Sequence, residues 1–300
     1  EGLFRKFPRG SRACFYRSLG VRHLILPILT KDQWRRVDTI CSELAPSTRT
    51  RESYLALRLR GVVVGDLFYD SFLKDHATPT LEPGSAKLRR NFRRSVALFI
   101  FWCDWLDKNP ISGVASTHMT YRLGLLPRIA AARGIDSIQF GWSMLNRSTR
   151  ENLVEGPDYG RYRDFFSGLT NSQQERALQL AQTSLQARLD GEITDAVWYL
   201  SSPSWSKSSS QGTRSRRPDT TVVVFAHDFW DAPHVRGPFL FTDFFQWITF
   251  LIGLCEETPF RWRFKPHPQS SAANTKSLRR LVSSAKGVEL LDQNYSNRVL

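Results

Sequence analysis

The sequence predicts an α/β protein with parallel sheets, and three observations carry that reading. Residues 221–270 read as strand, loop, helix, strand, loop, and a unit of that length favours two parallel strands joined by a right-handed crossover. Residues 113–140 repeat the pattern on a smaller scale, with a strand at Gly113–Ser116, a helix over 121–134 and a strand at 135–140. Between the two lies 201–220, which is serine-rich, basic and bounded by proline, the composition of a flexible linker. The division expected is a domain over 1–200, a linker over 201–220 and a second domain over 221–300.

A chain of 300 residues accommodates one large or two ordinary domains. An apolar fraction of 41% supplies a core and argues against wholesale disorder. The formal net charge is +14, from 42 Lys and Arg against 28 Asp and Glu, so anions are the expected partners: nucleotides, nucleic acid, anionic lipid or glycan. The cysteines, Cys14, Cys41, Cys103 and Cys255, are scattered in apolar contexts without a CxxC pair. They read as buried free thiols in a reducing compartment. No signal peptide is evident, and the most apolar run, 96–106, contains Asp104 and is about half the ~20 residues of a membrane span. The chain opens on Glu1 and stops at Leu300 within what reads as the start of another helix, so a segment of a longer protein is expected.

In chain order, residues 22–28 suit a short strand. Thr30 and Gln33 form a capping-box pattern ahead of a helix over 31–44, whose Trp34, Val37, Ile40, Cys41 and Leu44 recur at helical spacing. A helix over 51–60 stopping at Gly61, a short strand at 62–64 and a helix capped by Asp66 follow. Tyr69 and Asp70 there suit packing more than chemistry. Residues 87–106 form a long helix, basic in its first half and apolar in its second. His118 sits at the turn after the strand at Gly113–Ser116, where a base, a ligand or a plain cap all fit. Residues 146–164 are turn-rich. Asn171 or Ser172 caps a helix over 173–189, and 197–200 suits an edge segment.

The residues with chemical capacity cluster after the two later strands. HDFWDAPH, residues 227–234, offers His227, Asp228, Asp231 and His234. KPHP, residues 265–268, places Lys265 and His267 two residues apart on a loop stiffened by prolines, a pattern suited to a phosphate or diphosphate. A helix start near Asn274 would add backbone N–H donors. Open α/β sheets bind ligands beyond the carboxyl ends of their strands, so both loops are expected to face one crevice. A metal reading of HDFWDAPH has no matching ligand spacing. No P-loop, GxGxxG or GxSxG is present, which excludes the common NTPase, dinucleotide and acyl-transfer signatures.

Taken together, GVVVGDLFYDSFLKD (61–75), STHMTYRLGLLPRIAAARGI (116–135), HDFWDAPH, KPHP and VELLDQNYSNRVL (288–300) resemble the capsule-polysaccharide and surface-carbohydrate biosynthesis proteins, a group with the GT-B glycosyltransferase fold. The likeness covers about residues 15–300. It implies two Rossmann-like domains around a cleft, with the acceptor on the amino-terminal side and a nucleotide sugar, CMP-linked among the options, on the carboxy-terminal side. It implies that His267, aided by Lys265, contacts the donor phosphate, that His227 and Asp231 line the donor crevice, and that His118 lines the acceptor side. The catalytic set so implied is His118, His227 and Asp231, with Asp228, His234 and Tyr121 in the cleft. Such proteins continue with a Gly/Ser/Thr-rich turn and an acidic residue that hold the nucleotide, so an incomplete carboxy-terminal domain is expected.

The function expected is metal-independent transfer of a sugar from a nucleotide donor to a surface glycan or glycolipid, without a cofactor. The setting expected is cytoplasmic, at the inner face of the membrane where a basic surface can bind. The rivals are transfer of another activated group such as glycerol phosphate, a nucleic-acid binder suggested by the charge alone, and a non-catalytic scaffold of a glycan-export complex. No nucleic-acid motif accompanies the scattered Arg and Lys.

Overall fold

The structure, a computed structural model, describes residues 12–21, 23, 25–140, 145–149, 162–193, 205 and 220–297. It is a mixed α/β protein with a mixed sheet in the first part of the chain and a parallel sheet in the second. The expected edge segment at 197–200 and nearly all of the expected linker lie outside the described residues.

The first part is mostly helical. After α1 (Arg12–Ser18), α2 (Lys31–Leu44) opens with the expected capping box of Thr30 and Gln33. Three short elements follow: α3 (Arg51–Leu55), β1 (Arg58–Leu59) and β2 (Val62–Val63). Next come α4 (Gly65–His76) and α5 (Ala86–Lys108). In the apolar half of α5, Val96, Phe99 and Ile100 are fully buried and form the middle of one core with α2, α4 and Val64. Each such side chain stabilises by roughly 1.5–3 kcal/mol relative to exposure. Its basic half is a solvated face, on which Arg93 pairs with Asp38 and covers the Trp34 ring.

Beyond α5, β3 (Gly113–Ser116) leads through a 3-10 turn at Tyr121–Gly124 into α6 (Leu125–Ala132) and β4 (Asp136–Phe140). Strands β3 and β4 are parallel, as the β-α-β reading expected. Gly124 is required here, because a Cβ would stand 2.3 Å from the Met119 carbonyl oxygen. Strand β5 (Leu145–Ser148) then pairs antiparallel with β4. Helices α7 (Tyr162–Ser167) and α8 (Asn171–Leu189) follow, and neither buries a residue.

The second part runs β6 (Thr221–Phe225), α9 (Phe244–Glu257), β7 (Arg261–Lys265), α10 (Ala272–Val282) and β8 (Val288–Leu290). Its three strands are parallel in the order β6-β7-β8. Phe229, Ile248, Phe264 and Leu278 fill a second core beneath them.

Several expectations are corrected. Residues 25–30 form no strand: Pro27 lacks a donor and Ile28 N–H turns back to the Leu26 carbonyl. The helix expected over 51–60 ends at Leu55, because Arg60 and Gly61 both take positive φ, 49° and 79°, and form the two-residue turn of the β1–β2 hairpin. Asp66 does not cap α4, which starts one residue earlier with Val64 at the cap. It is held instead by two hydrogen bonds of 2.6 Å from the guanidinium of Arg128. Residues 145–148, inside the turn-rich stretch, are strand β5, and α8 is capped by Thr170. No helix among the described residues is long and apolar enough to cross a membrane.

One segment joins the two parts. Residues 227–243, between β6 and α9, reach back onto α4. Trp230 packs against both cores. Asp243, fully buried, caps α9 at Gln246 N–H and accepts from Tyr69 Oη at 2.5 Å and Thr80 Oγ1 at 2.6 Å. Replacing it leaves two hydroxyls and a helix end unpaired out of reach of water. Asp243→Ala is therefore expected to lower the unfolding free energy by roughly 3–5 kcal/mol. A urea melt that shifts by less than about 1 kcal/mol would show that the junction is not held there.

Candidate functional site

The site is built where the two parallel strands of the second part end. Val224 lies opposite Phe264 and Phe225 opposite Lys265. One further backbone bond, Ala226 N–H to the Lys265 carbonyl at 2.8 Å, carries the pairing past the last rung. The chains part there, and His227 and His267 emerge side by side with ring centroids 5.6 Å apart and planes inclined by 43°. On its other side the His227 ring lies 4.9 Å from Phe244 at the start of α9. Two imidazoles, backed by an aromatic, thus stand together beyond the carboxyl ends of β6 and β7.

Three polar residues hold the two loops in this pose. Asp228 Oδ1 accepts from Ser270 Oγ and Asn274 Nδ2, both at 2.8 Å. Asn274 also donates to Ser270 Oγ, and its Oδ1 accepts from Phe229 N–H at 3.0 Å. Asp228 thus ties its own loop to the loop after β7 rather than presenting a free carboxylate to the cleft. Asn274 is likewise structural and buried; Ser271 is the cap of α10, which starts at Ala272.

The His267 ring is oriented by its own turn. Gln269 N–H donates to Nδ1 at 3.1 Å, and Ser270 N–H to the His267 carbonyl at 2.8 Å. With Nδ1 accepting, the neutral ring carries its proton on Nε2. Burial lowers the His267 pKa from its ordinary value, and the neighbouring His227 and Lys265 add to this; Asp228 and Asp231 pull the other way. An anion between the two rings would reverse the balance.

Lys265 is not the exposed phosphate contact that the sequence suggested. Its residue is 2% exposed, its ammonium donates to Asn297 Oδ1 at 2.6 Å, and burial lowers its pKa. It supports the site from beneath, as a positive charge behind His267. The sequence offered no reason to single out its partner Asn297, 32 residues away.

The other expected residues lie around this centre. Asp231 and Tyr121 meet across the two parts, Tyr121 Oη donating to Asp231 Oδ1 at 3.0 Å. Tyr121 holds φ at 53° and nearby Ala232 at 41°, so both loops are strained where they touch. His118, three residues before Tyr121, is exposed, and its backbone turns around Ser116 Oγ. Ser116 and Tyr121 line a cavity of about 550 Å³ with Lys74, Asp75 and Arg122.

His234 is placed apart from His227 and His267. It is 6% exposed, its Nδ1 lies 2.6 Å from Asp70 Oδ1, and its backbone N–H donates to Asp70 Oδ2. Asp70, read from the sequence as packing, is 2% exposed and is the carboxyl partner of this imidazole. Nothing in local sequence separates it from its neighbours; only the return of residues 227–243 onto α4 reveals it. Burial alone would lower the His234 pKa, but the hydrogen bond and charge of Asp70, with Asp66 and Asp243 behind, outweigh it and raise the pKa.

Among the described residues no group of three or more His, Cys, Asp or Glu is arranged to hold a metal ion. Comparison with known proteins found no family model, no curated protein and no solved structure that matches the chain.

The two histidine environments have opposite linkage. The His267 pKa lies below the ordinary 6.5, so the unfolded chain takes up that proton first, and this residue subtracts stability as pH falls from about 6.5 toward the folded value. The His234 pKa lies above 6.5, so its contribution is complete below about 6.5 and is lost as pH rises through the folded value. Urea melts of the wild type and His267→Gln at pH 7.5 and 5.5 isolate the first effect. The variant is expected to gain stability relative to wild type at the lower pH. A difference independent of pH would show that His267 is not held neutral.

Proposed function

We propose that the chain is a glycosyltransferase of GT-B type that moves a sugar from a nucleotide-activated donor to a surface glycan, with the donor phosphate bound between His227 and His267. The observation that carries the reading is the approach of these two rings to 5.6 Å at adjacent parallel strand ends. Neither strand needs a glycine-rich loop for this; the rings themselves supply the donors.

The chemistry follows from charge. Two imidazolium ions at this separation repel, and His267 is held toward neutrality. An arriving phosphate offers each ring an anionic acceptor and draws a proton onto the site. As the bond from the anomeric carbon to the phosphate oxygen lengthens, negative charge grows on that oxygen. Donors already aimed at it lower the barrier, and removal of one such donor costs about 10²–10³ in rate in comparable sites. Lys265 adds positive potential from behind without touching the ligand. The tie between Tyr121 and Asp231 fixes the opposite wall.

The cytoplasmic setting, the glycan or glycolipid acceptor and contact with an anionic membrane surface belong to the same proposal. Nucleic acid is not a partner in it, because the Arg and Lys are scattered along the sequence without a recognised nucleic-acid motif. A ligand of that kind needs a continuous basic track.

Donor consumption with CMP-, CDP-, UDP- and GDP-linked compounds, CDP-glycerol included, tests the reading. His267→Ala is expected to reduce kcat/KM by about 10²–10³ for the accepted donor, while Asn274→Ala reduces stability first. Nucleotide binding should also take up protons near neutral pH, visible as a buffer-dependent heat in calorimetry. Unchanged kcat/KM in His267→Ala would remove the phosphate role.

A further inference from the structure

The cavity of about 550 Å³ beside Tyr121 plays no part in the proposed phosphate site. It runs along β3 to its carboxyl end, enclosed by residues of α4, α5 and α6. Leu98 and Trp102 of α5, Val114 of β3, and Leu126 and Pro127 of α6 make its wall largely apolar. Its volume falls within the range of about 300–1,000 Å³ usual for small-molecule sites.

The polar side chains of the lining are few, and nearly all are committed within the protein. Ser71 Oγ donates to the Leu67 carbonyl at 2.6 Å. Ser116 Oγ donates to the His118 carbonyl and accepts from the His118 N–H. Asp75 accepts from Asn91 and from Arg122. The other terminal nitrogen of that guanidinium is buried, which closes it to anything in the cavity. Tyr121 Oη donates to Asp231. A ligand covered in hydroxyls would therefore give up its water for few partners here.

Lys74 is the exception. It is exposed, and its ammonium stands 5.8 Å from the centroid of the Tyr121 ring. It forms no ion pair among the described residues, because the adjacent carboxylate of Asp75 is taken by Arg122. Three N–H donors at the mouth of the cavity are thus left for a ligand. Arg94 adds to the same potential. Residues 87, 91, 94, 98 and 102 share one face of α5 by helical spacing. On that face Asn91 reaches Asp75, and Leu98 and Trp102 line the cavity, so the exposed Arg94 stands one turn before Leu98. A small inorganic anion would leave the apolar wall unused. A neutral chain would leave Lys74 without a partner. A chain that ends in an anion satisfies both, and each methylene it buries adds to affinity.

We propose that this cavity binds an anionic amphiphile, an apolar chain ending in one carboxylate or phosphate, with the chain against Leu98, Trp102 and Leu126 and the head group on Lys74. Neither His227 nor His267 takes part, so the site stands whether or not the chain transfers a sugar. Tyr121 is the residue common to the two regions: the ring beneath Lys74 carries the hydroxyl that holds Asp231.

The test is calorimetric titration of the whole chain with decanoate below its micelle concentration, with decanol as the neutral probe of equal chain length. Ala115 is exposed on β3 and lines the cavity, so Ala115→Phe fills it without disturbing the core. Lys74→Met removes the charge and keeps the length of the side chain. Saturable binding of decanoate to the wild type is expected, weakened about tenfold or more in Lys74→Met, lost in Ala115→Phe and retained in His267→Ala. Decanol should bind the wild type and Lys74→Met alike. Vesicles of phosphatidylcholine, with and without phosphatidylglycerol, separate the sources of the head group. Co-sedimentation that requires phosphatidylglycerol and falls in both cavity variants assigns it to a membrane lipid, whereas decanoate binding without co-sedimentation assigns it to a free amphiphile; either supports the site. Absence of decanoate binding overturns the inference. Binding indifferent to Ala115→Phe or to Lys74→Met also overturns it, since chain or head would then sit elsewhere. Binding abolished by His267→Ala places the head at the histidine pair and overturns it as well.

Discussion

Asp70 and His234 meet where water does not reach, and the placement of everything around the candidate site depends on that contact. Each group alone would be costly to bury. Together they share a proton over 2.6 Å, and the His234 backbone N–H supplies a further bond to the same carboxyl. Breaking such a pair by removing one partner costs roughly 3–5 kcal/mol, because the survivor is left buried and unpaired. The pair links α4 of the first part to the segment leaving β6 in the second. Asp243, nine residues on by sequence, repeats the device with Tyr69 and Thr80. Between these two anchors the chain has little freedom, and the aromatic residues it carries are set in place as a wall.

This constraint explains why strain accumulates nearby. Tyr121 and Ala232 hold left-handed backbone without being glycine, at a cost on the order of 1–3 kcal/mol each. Neither would persist in a loop free to relax. Tyr121 is fixed by the turn into α6, where Gly124 lets the backbone approach Met119. Ala232 is fixed by the anchor at His234 two residues later. The hydrogen bond from Tyr121 to Asp231 is what the strain secures: it sets the spacing between the tip of β3 and the tip of β6. A polar contact between two strained loops is a means of positioning side chains, which a relaxed loop pair would not provide.

How far the sequence foretold this depends on the range of the interaction. Thr30 with Gln33 announced α2 because a capping box is complete within four residues. The parallel pairing of β6 with β7 was legible because a strand, a helix and a strand of that length admit few topologies, and the juxtaposition of His227 with His267 follows from it. Asp66 misled because its position resembles a cap, while its partner Arg128 is distant in sequence and invisible to any local pattern. Arg60–Gly61 misled because a helix stop and a hairpin turn share the same glycine, and only the positive φ of Arg60 distinguishes them. Lys265 reads as exposed on a proline-bounded loop, yet Asn297 draws it inward. Asp70 was passed over for the same reason as Asp66: its meaning resides in a residue 164 positions away. Local chemistry was readable, and side-chain pairings between residues distant in sequence were not.

The net charge of +14 is not what builds the proposed phosphate site. Arg36, Arg122 and Arg128 are each matched to an aspartate, and so is Arg93 on the solvated face of α5. The proposed phosphate site holds no arginine among its described contacts; it holds two imidazoles and a buried ammonium. A guanidinium is a standing charge that attracts any anion, whereas an imidazole held neutral becomes a strong donor only when an anion has arrived to raise its pKa. Recognition by proton uptake favours a ligand whose charge is concentrated on one group and disfavours a diffuse polyanion, which would gain nothing from two rings 5.6 Å apart. A site that moves charge by protonation rather than by fixed cations can release its product as soon as the negative charge departs.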